Sequence, residues 1–140
     1  MRPADEQPFL DLQAQLAQAL SGKGELTVAF GLNRLEDAPL AQRELILLAK
    51  PNDATAQETT RYCRAQVDLA ALAFKHHDAT LHSQHRPVDA KAAATFDALE
   101  LIRLEALASG RYNGIRHNLA ERHATLFRMK GYAEAEGHSP

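Results

Sequence analysis

The chain has no tryptophan, one cysteine and only two methionines. A lone cysteine, Cys63, cannot close an intrachain disulfide. That excludes a disulfide-stapled scaffold and fits a reducing compartment. Charge of one sign is missing as well. Sixteen Lys and Arg stand against eighteen Asp and Glu, leaving −2, whereas a dedicated nucleic-acid binder carries a clear basic excess. Aromatic residues make up 6% of the chain. Among the basic groups Arg111, Arg116, Arg122, Arg128 and Lys130 only Tyr112, Phe127 and Tyr132 are available for stacking on bases. No window approaches the ~18 apolar residues of a membrane span. The first leucine-rich stretch, Phe9 to Leu20, is interrupted by Asp11, Gln13, Gln15 and Gln18, so it lacks the unbroken centre of a signal peptide. The expectation is a cytoplasmic protein with neither nucleic acid nor membrane as partner.

Catalytic motifs are missing too. Gly22-Lys23-Gly24 lacks the preceding glycine and the following Ser/Thr of a phosphate-binding loop. No H-E-x-x-H occurs, and Ser21, Ser83, Ser109 and Ser139 lie outside any nucleophile-elbow pattern. Cys63 falls on an apolar helix stripe, where a thiol is core rather than nucleophile. No catalytic and no cofactor-binding residue is assigned.

What remains is an ordinary globular composition, 140 residues with 45% apolar and 24% charged, enough for one domain with a core. Phe9, Leu12, Leu16 and Leu20 are spaced as one face of a helix. Gly22 and Gly24 stop it. Leu26 to Phe30 reads as a strand, residues 32–42 as a loop, and Glu44 to Ala49 as a second strand pairing with the first in a long-looped hairpin. Asn52, Asp53 or Thr55 caps a long helix. Its main stripe is Cys63, Val67, Ala70, Phe74, His77 and Leu81, and a second runs Tyr62, Ala65, Leu69, Leu72 and His76. Arg61, Arg64, Asp68, Lys75 and Asp78 lie opposite. Pro87 ends this helix near His85.

Asp89 caps a further helix with apolar lines Ala92, Phe96, Leu99, Ala106 and Ala98, Leu101, Ala108, closed by Gly110. A last helix turns Ile115, Leu119 and Leu126 inward and leaves Arg116, Arg122 and Arg128 outward. The fold class is therefore mainly α (α+β), about four helices with one short β-hairpin between helices 1 and 2. Residues 1–132 form the domain and 133–140 a flexible tail.

Four of the seven histidines fall between His76 and His85. Asp78, His82 and His85 are spaced four and three, so on one helix they share a face and are the candidate metal ligands. The alternative is a helix end decorated with polar groups. His76 and His77 lie on apolar stripes and read as core histidines with a hydrogen-bonded partner. Glu105 lies on an apolar line and needs a donor, since an unpaired buried carboxylate is costly. The expected pairing joins Glu105 to His76, to His77, or to Arg103 or Arg111.

His76-His77-Asp78-Ala79, Leu81-His82, His85-Arg86-Pro87, Phe96-Asp97-Ala98 and Arg103-Leu104-Glu105-Ala106-Leu107, with Phe30-Gly31, Gly114 and Asn118-Leu119, together resemble the N-terminal region of the CobT subunit of aerobic cobaltochelatase. The resemblance is tightest over residues 76–107. It implies a partnership with an AAA+ ATPase subunit and a large chelatase subunit. That complex uses ATP to insert cobalt into hydrogenobyrinic acid a,c-diamide during cobalamin synthesis. The family pattern continues into an acidic linker and a von Willebrand A domain, neither of which occurs here. The chain is thus expected to be an N-terminal fragment of a longer protein, a non-catalytic interaction domain holding no cofactor of its own. A metal- or tetrapyrrole-handling site on the His76–His85 cluster is the alternative.

Overall fold

A computed structural model describes residues 2–31, 44–51 and 54–131. Helix α1 spans Pro3–Ser21. Proline suits its first position because the missing N–H has no helical partner there. Asp5 and Glu6 in the first turn complement the helix dipole. Gly22 ends it in the left-handed region, φ 74°, with its N–H donating to Gln18 O at 2.9 Å.

The inward residues of α1 are Leu10, Gln13 and Ala17, with Phe9, Ala14 and Leu20 packed beside them. Leu12 and Leu16, expected inside, are 53% and 37% exposed. The helix is therefore rotated so that Leu10, Gln13 and Ala17 face inward, with Phe9 and Leu20 at the edge of the contact.

Strands β1, Thr27–Phe30, and β2, Leu45–Leu48, pair between α1 and the next helix, as expected. They run parallel, Thr27 opposite Leu45 through Phe30 opposite Leu48. The chain returns to the same end before β2 rather than folding back as an antiparallel hairpin. Parallel pairing needs a connection of about a dozen residues or more, and residues 31–44 supply it. The expected loop at 32–42 lies outside the described residues apart from that length.

Helix α2, Ala56–His76, opens with Thr55 and Glu58 capping each other's backbone N–H. The other expected caps, Asn52 and Asp53, lie outside the described residues. Every residue from Leu69 to Ala73 is buried, and so are Tyr62, Cys63, Ala65, Val67 and Asp68. This helix is the axis of the fold. Cys63, Val67, Ala70 and Ala71 join α1 and the strands in one core. Ala65, Leu69 and Leu72 join the last two helices in another. Gln66 clamps β2 to α2, accepting from Ala49 N at 3.1 Å and donating to Ala49 O at 2.9 Å.

The long helix expected to reach His85 is two helices. His77 and Asp78 are extended, and Asp78 Oδ1 accepts from Leu81 N at 2.9 Å, starting α3, Ala79–His85. An aspartate at this point competes with helix continuation by capping a new one. The described residues therefore hold five helices, and Leu81 is 52% exposed rather than on a buried stripe.

Helix α4, Ala90–Arg111, is capped by Asp89, which accepts from Ala92 N at 3.0 Å. Helix α5, Asn113–Met129, follows with Tyr112 alone between them. Ile115 and Leu119 point inward as expected, but Arg122 is also buried, at 4% exposure, beneath the Tyr62 ring. No helix among the described residues is long and apolar enough to cross a membrane. The expected tail from 133 lies outside the described residues.

Candidate functional site

The polar centre of the molecule is the inner face of α4. Its buried line is Ala93, Leu104 and Ala108, and between Ala93 and Leu104 it carries Asp97 and Glu100. These five positions are spaced four, three, four and four, one helical face. An apolar-only count misses this face because two of its members are carboxylates.

Each acidic residue of α4 meets a histidine from a different element. Glu100 Oε1 is 2.7 Å from Nδ1 of His77, at the end of α2. Asp97 Oδ1 is 2.8 Å from Nε2 of His82, on α3. Glu105 Oε2 is 2.8 Å from Nε2 of His123, on α5. Each also has an arginine. Arg103 donates to both oxygens of Glu100 at 2.7 and 2.8 Å and to His76 O at 2.8 Å. Arg86 grips Asp97 through Nε and Nη2 at 2.9 to 3.2 Å. Arg122 Nη1 stands 3.9 Å from Glu105 Oε1.

These contacts set the protonation states. Hydrogen bonds from Arg103, then from His77, hold the Glu100 carboxyl down at about 2. Arg86, then His82, holds Asp97 at about 2. Desolvation, reinforced by Lys75, Arg111 and Arg103, lowers the pKa of His76. Carboxylates so firmly ionised are poor proton acceptors at neutral pH. Burial pushes the Cys63 thiol up to about 12, which leaves it unreactive.

The expected partners are redistributed. His77 is buried, but its carboxylate is Glu100, one turn before the anticipated Glu105 and one line over. Glu105 is paired with His123 and Arg122 instead of His76, His77, Arg103 or Arg111. Arg111 is exposed at the end of α4 and reaches His76 only through its field. The candidate ligands do not form a cluster. Asp78 is a helix cap, His82 is bound to Asp97, and His85 is exposed. Among the described residues no group of three or more His, Cys, Asp or Glu is arranged to hold a metal ion.

Beside this centre a cleft of about 530 Å³ lies between the turn after α1 and the α2–α3 break. Lys23, Glu25, Glu44, His77, Asp78 and Thr80 line it over a floor of Leu26 and Phe74.

A family model described as cobalamin biosynthesis protein CobT matches residues 3–139. The chain belongs to the CobT family. No curated protein and no solved structure gives a significant match. The family assignment carries a role in cobalamin biosynthesis, consistent with a cobaltochelatase subunit. In this CobT-family chain the histidine–carboxylate pairs fasten the end of α2, α3 and α5 to α4.

Proposed function

We propose that this is a non-catalytic interaction domain of a cobaltochelatase subunit. It supports ATP-dependent insertion of cobalt into hydrogenobyrinic acid a,c-diamide by docking on the AAA+ ATPase subunit and the large chelatase subunit. The observation that carries this reading is the outer face of α4. All three acidic residues of that helix turn toward partners within the domain, while Leu99 and Ile102 are each 59% exposed, with Leu107 at 41%. Leu99 and Ile102 are three residues apart and neighbours on the helix surface, and exposed apolar neighbours of this kind suit an interaction surface.

The charged stripe of α2 (Arg61, Arg64, Asp68, Lys75) and the basic α5 are the other docking faces that the sequence offers, and several of their residues are held within the domain. Arg61 pairs with Glu121 at 3.0 Å, Arg128 with Glu58 at 3.1 Å, and Asp68 is buried against Asn118. Docking is therefore assigned to α4. The test is co-elution with the AAA+ subunit on a sizing column, with and without ATP, comparing the native chain with Leu99→Asp/Ile102→Asp. Loss of co-elution in a folded variant is expected. A variant that co-elutes like the native chain would refute the assignment. Metal handling by Asp78, His82 and His85 draws no support from the geometry. Its check is a cobalt titration against His82→Ala.

A further inference from the structure

Helix α3 contributes nothing to either core, since none of its residues is buried. It is bounded by extended residues, His77 and Asp78 before it and Arg86 after it. Val88, in the link to α4, is fully exposed. Among the described residues, the polar side-chain contacts of His82 and Arg86 converge on one residue. Asp97 takes His82 at 2.8 Å and the Arg86 guanidinium at 2.9 to 3.2 Å. The His82 ring also leans on Phe96 at 4.6 Å and meets the His77 ring edge-on at 4.9 Å. The first turn of α3, Ala79 and Thr80, is also one wall of the cleft.

We propose that α3 is a hinged strap that opens as a unit, pivoting at His77–Asp78 and at Arg86–Val88, with Asp97 as its latch. Segments that open on their own come from the end of the stability range with few apolar contacts, and α3 meets that condition where α2 and α4 do not. Opening removes one wall of the cleft and takes the His82 ring off His77. The two cores stay intact, because no residue of α3 is in them. The latch is ionic and half exposed on its Arg86 side, so salt weakens it. Acidification releases it only near the low pKa of Asp97, about 2.

The experiment is amide hydrogen exchange on the full chain, read separately for Leu81–His85 and for the centres of α2 and α4. Asp97→Asn keeps one carbonyl acceptor but abolishes the charged grip. Exchange over Leu81–His85 is expected to rise about tenfold, the factor set by ~1.4 kcal/mol of lost charge-assisted hydrogen bonding. Arg86→Gln, which leaves the His82 contact, is expected to give a smaller rise in the same amides. The centres of α2 and α4 stay unchanged in both. Unaltered exchange in α3, or α3 amides already unprotected in the native chain, overturns the latch. A parallel loss of protection in α2 and α4 overturns the strap, since Asp97 would then be holding the body together.

Discussion

Replacing Glu100 with glutamine tests the polar centre directly. Glu100 is 15% exposed and joins His77 to Arg103. Its folded pKa of about 2, against an ordinary 4.5, means that the folded state binds this proton less tightly than the unfolded chain. The stability it contributes is present above 4.5 and is lost as pH falls from 4.5 toward 2. At about 1.4 kcal/mol per pKa unit the ceiling is ~3 kcal/mol. Arg103 is 49% exposed, so solvent screening brings the expected loss to about 2 kcal/mol. For a chain of this length that lowers Tm by roughly 6–8 °C at pH 7.

The assay is urea unfolding followed by circular dichroism, native chain and Glu100→Gln side by side, from pH 7 to pH 2.5. The difference between them should be largest at neutral pH and shrink steadily below 4.5. A difference under about 0.5 kcal/mol at pH 7, the range of an ordinary surface change, would refute the reasoning. So would a difference that stays constant on acidification, because the charge of Glu100 would then not be its source.

Leu104→Ala, at a site fully buried on α4, should cost about 2–5 kcal/mol in the same urea assay. Thr55→Ala removes one half of the α2 capping box and should cost about 1 kcal/mol. Asp68 has its pKa raised chiefly by burial, against smaller opposing effects of Asn118 and Arg64. The folded state therefore binds its proton more tightly, and this residue's contribution to stability falls as pH rises from 3.8 through the raised value. Asp68→Asn should abolish that slope and unfold at higher urea than the native chain at pH 7. Cys63, with a thiol at about 12 and no exposure, should resist a chromogenic disulfide reagent at pH 8 until urea unfolds the chain. Immediate reaction would show the core around it to be open.

Much of the architecture is legible in residue spacing. The two apolar stripes expected of α2 correspond to its two cores, with Cys63, Val67 and Ala70 toward α1 and the strands and Ala65, Leu69 and Leu72 toward α4 and α5. A helix buried on both sides leaves a broad, unambiguous pattern. The stop before Pro87 and the cap at Asp89 are equally plain, because each depends on local sterics or one side chain. The faces of α1 and α4 are harder to read. Both helices touch the body partly through small or polar residues, Ala17 and Gln13 in one and Ala93, Asp97 and Glu100 in the other, while half of their leucines, Leu12, Leu16, Leu99 and Leu107, are exposed. The partner of His77 was hidden for the same reason. Choosing Glu100 over Glu105 requires the rotation of α4 about its axis, and apolar spacing alone points that helix the wrong way. Strand direction was hidden because no tight turn separates β1 from β2, and a long connection is compatible with either sense.

Tyr112 has an evolutionary consequence. It closes α4 and opens α5 with no residue to spare on either side. Connections elsewhere can lengthen or shorten by a residue while the elements they join stay in place. Here one inserted residue, if taken up as helix, would turn α5 by about 100° relative to α4. Ile115, Leu119 and Arg122 would swing off α2, and His123 would leave Glu105. Among relatives of this chain, length changes should therefore be tolerated in the other connections but not at this joint, which makes Tyr112 a fixed point for aligning them.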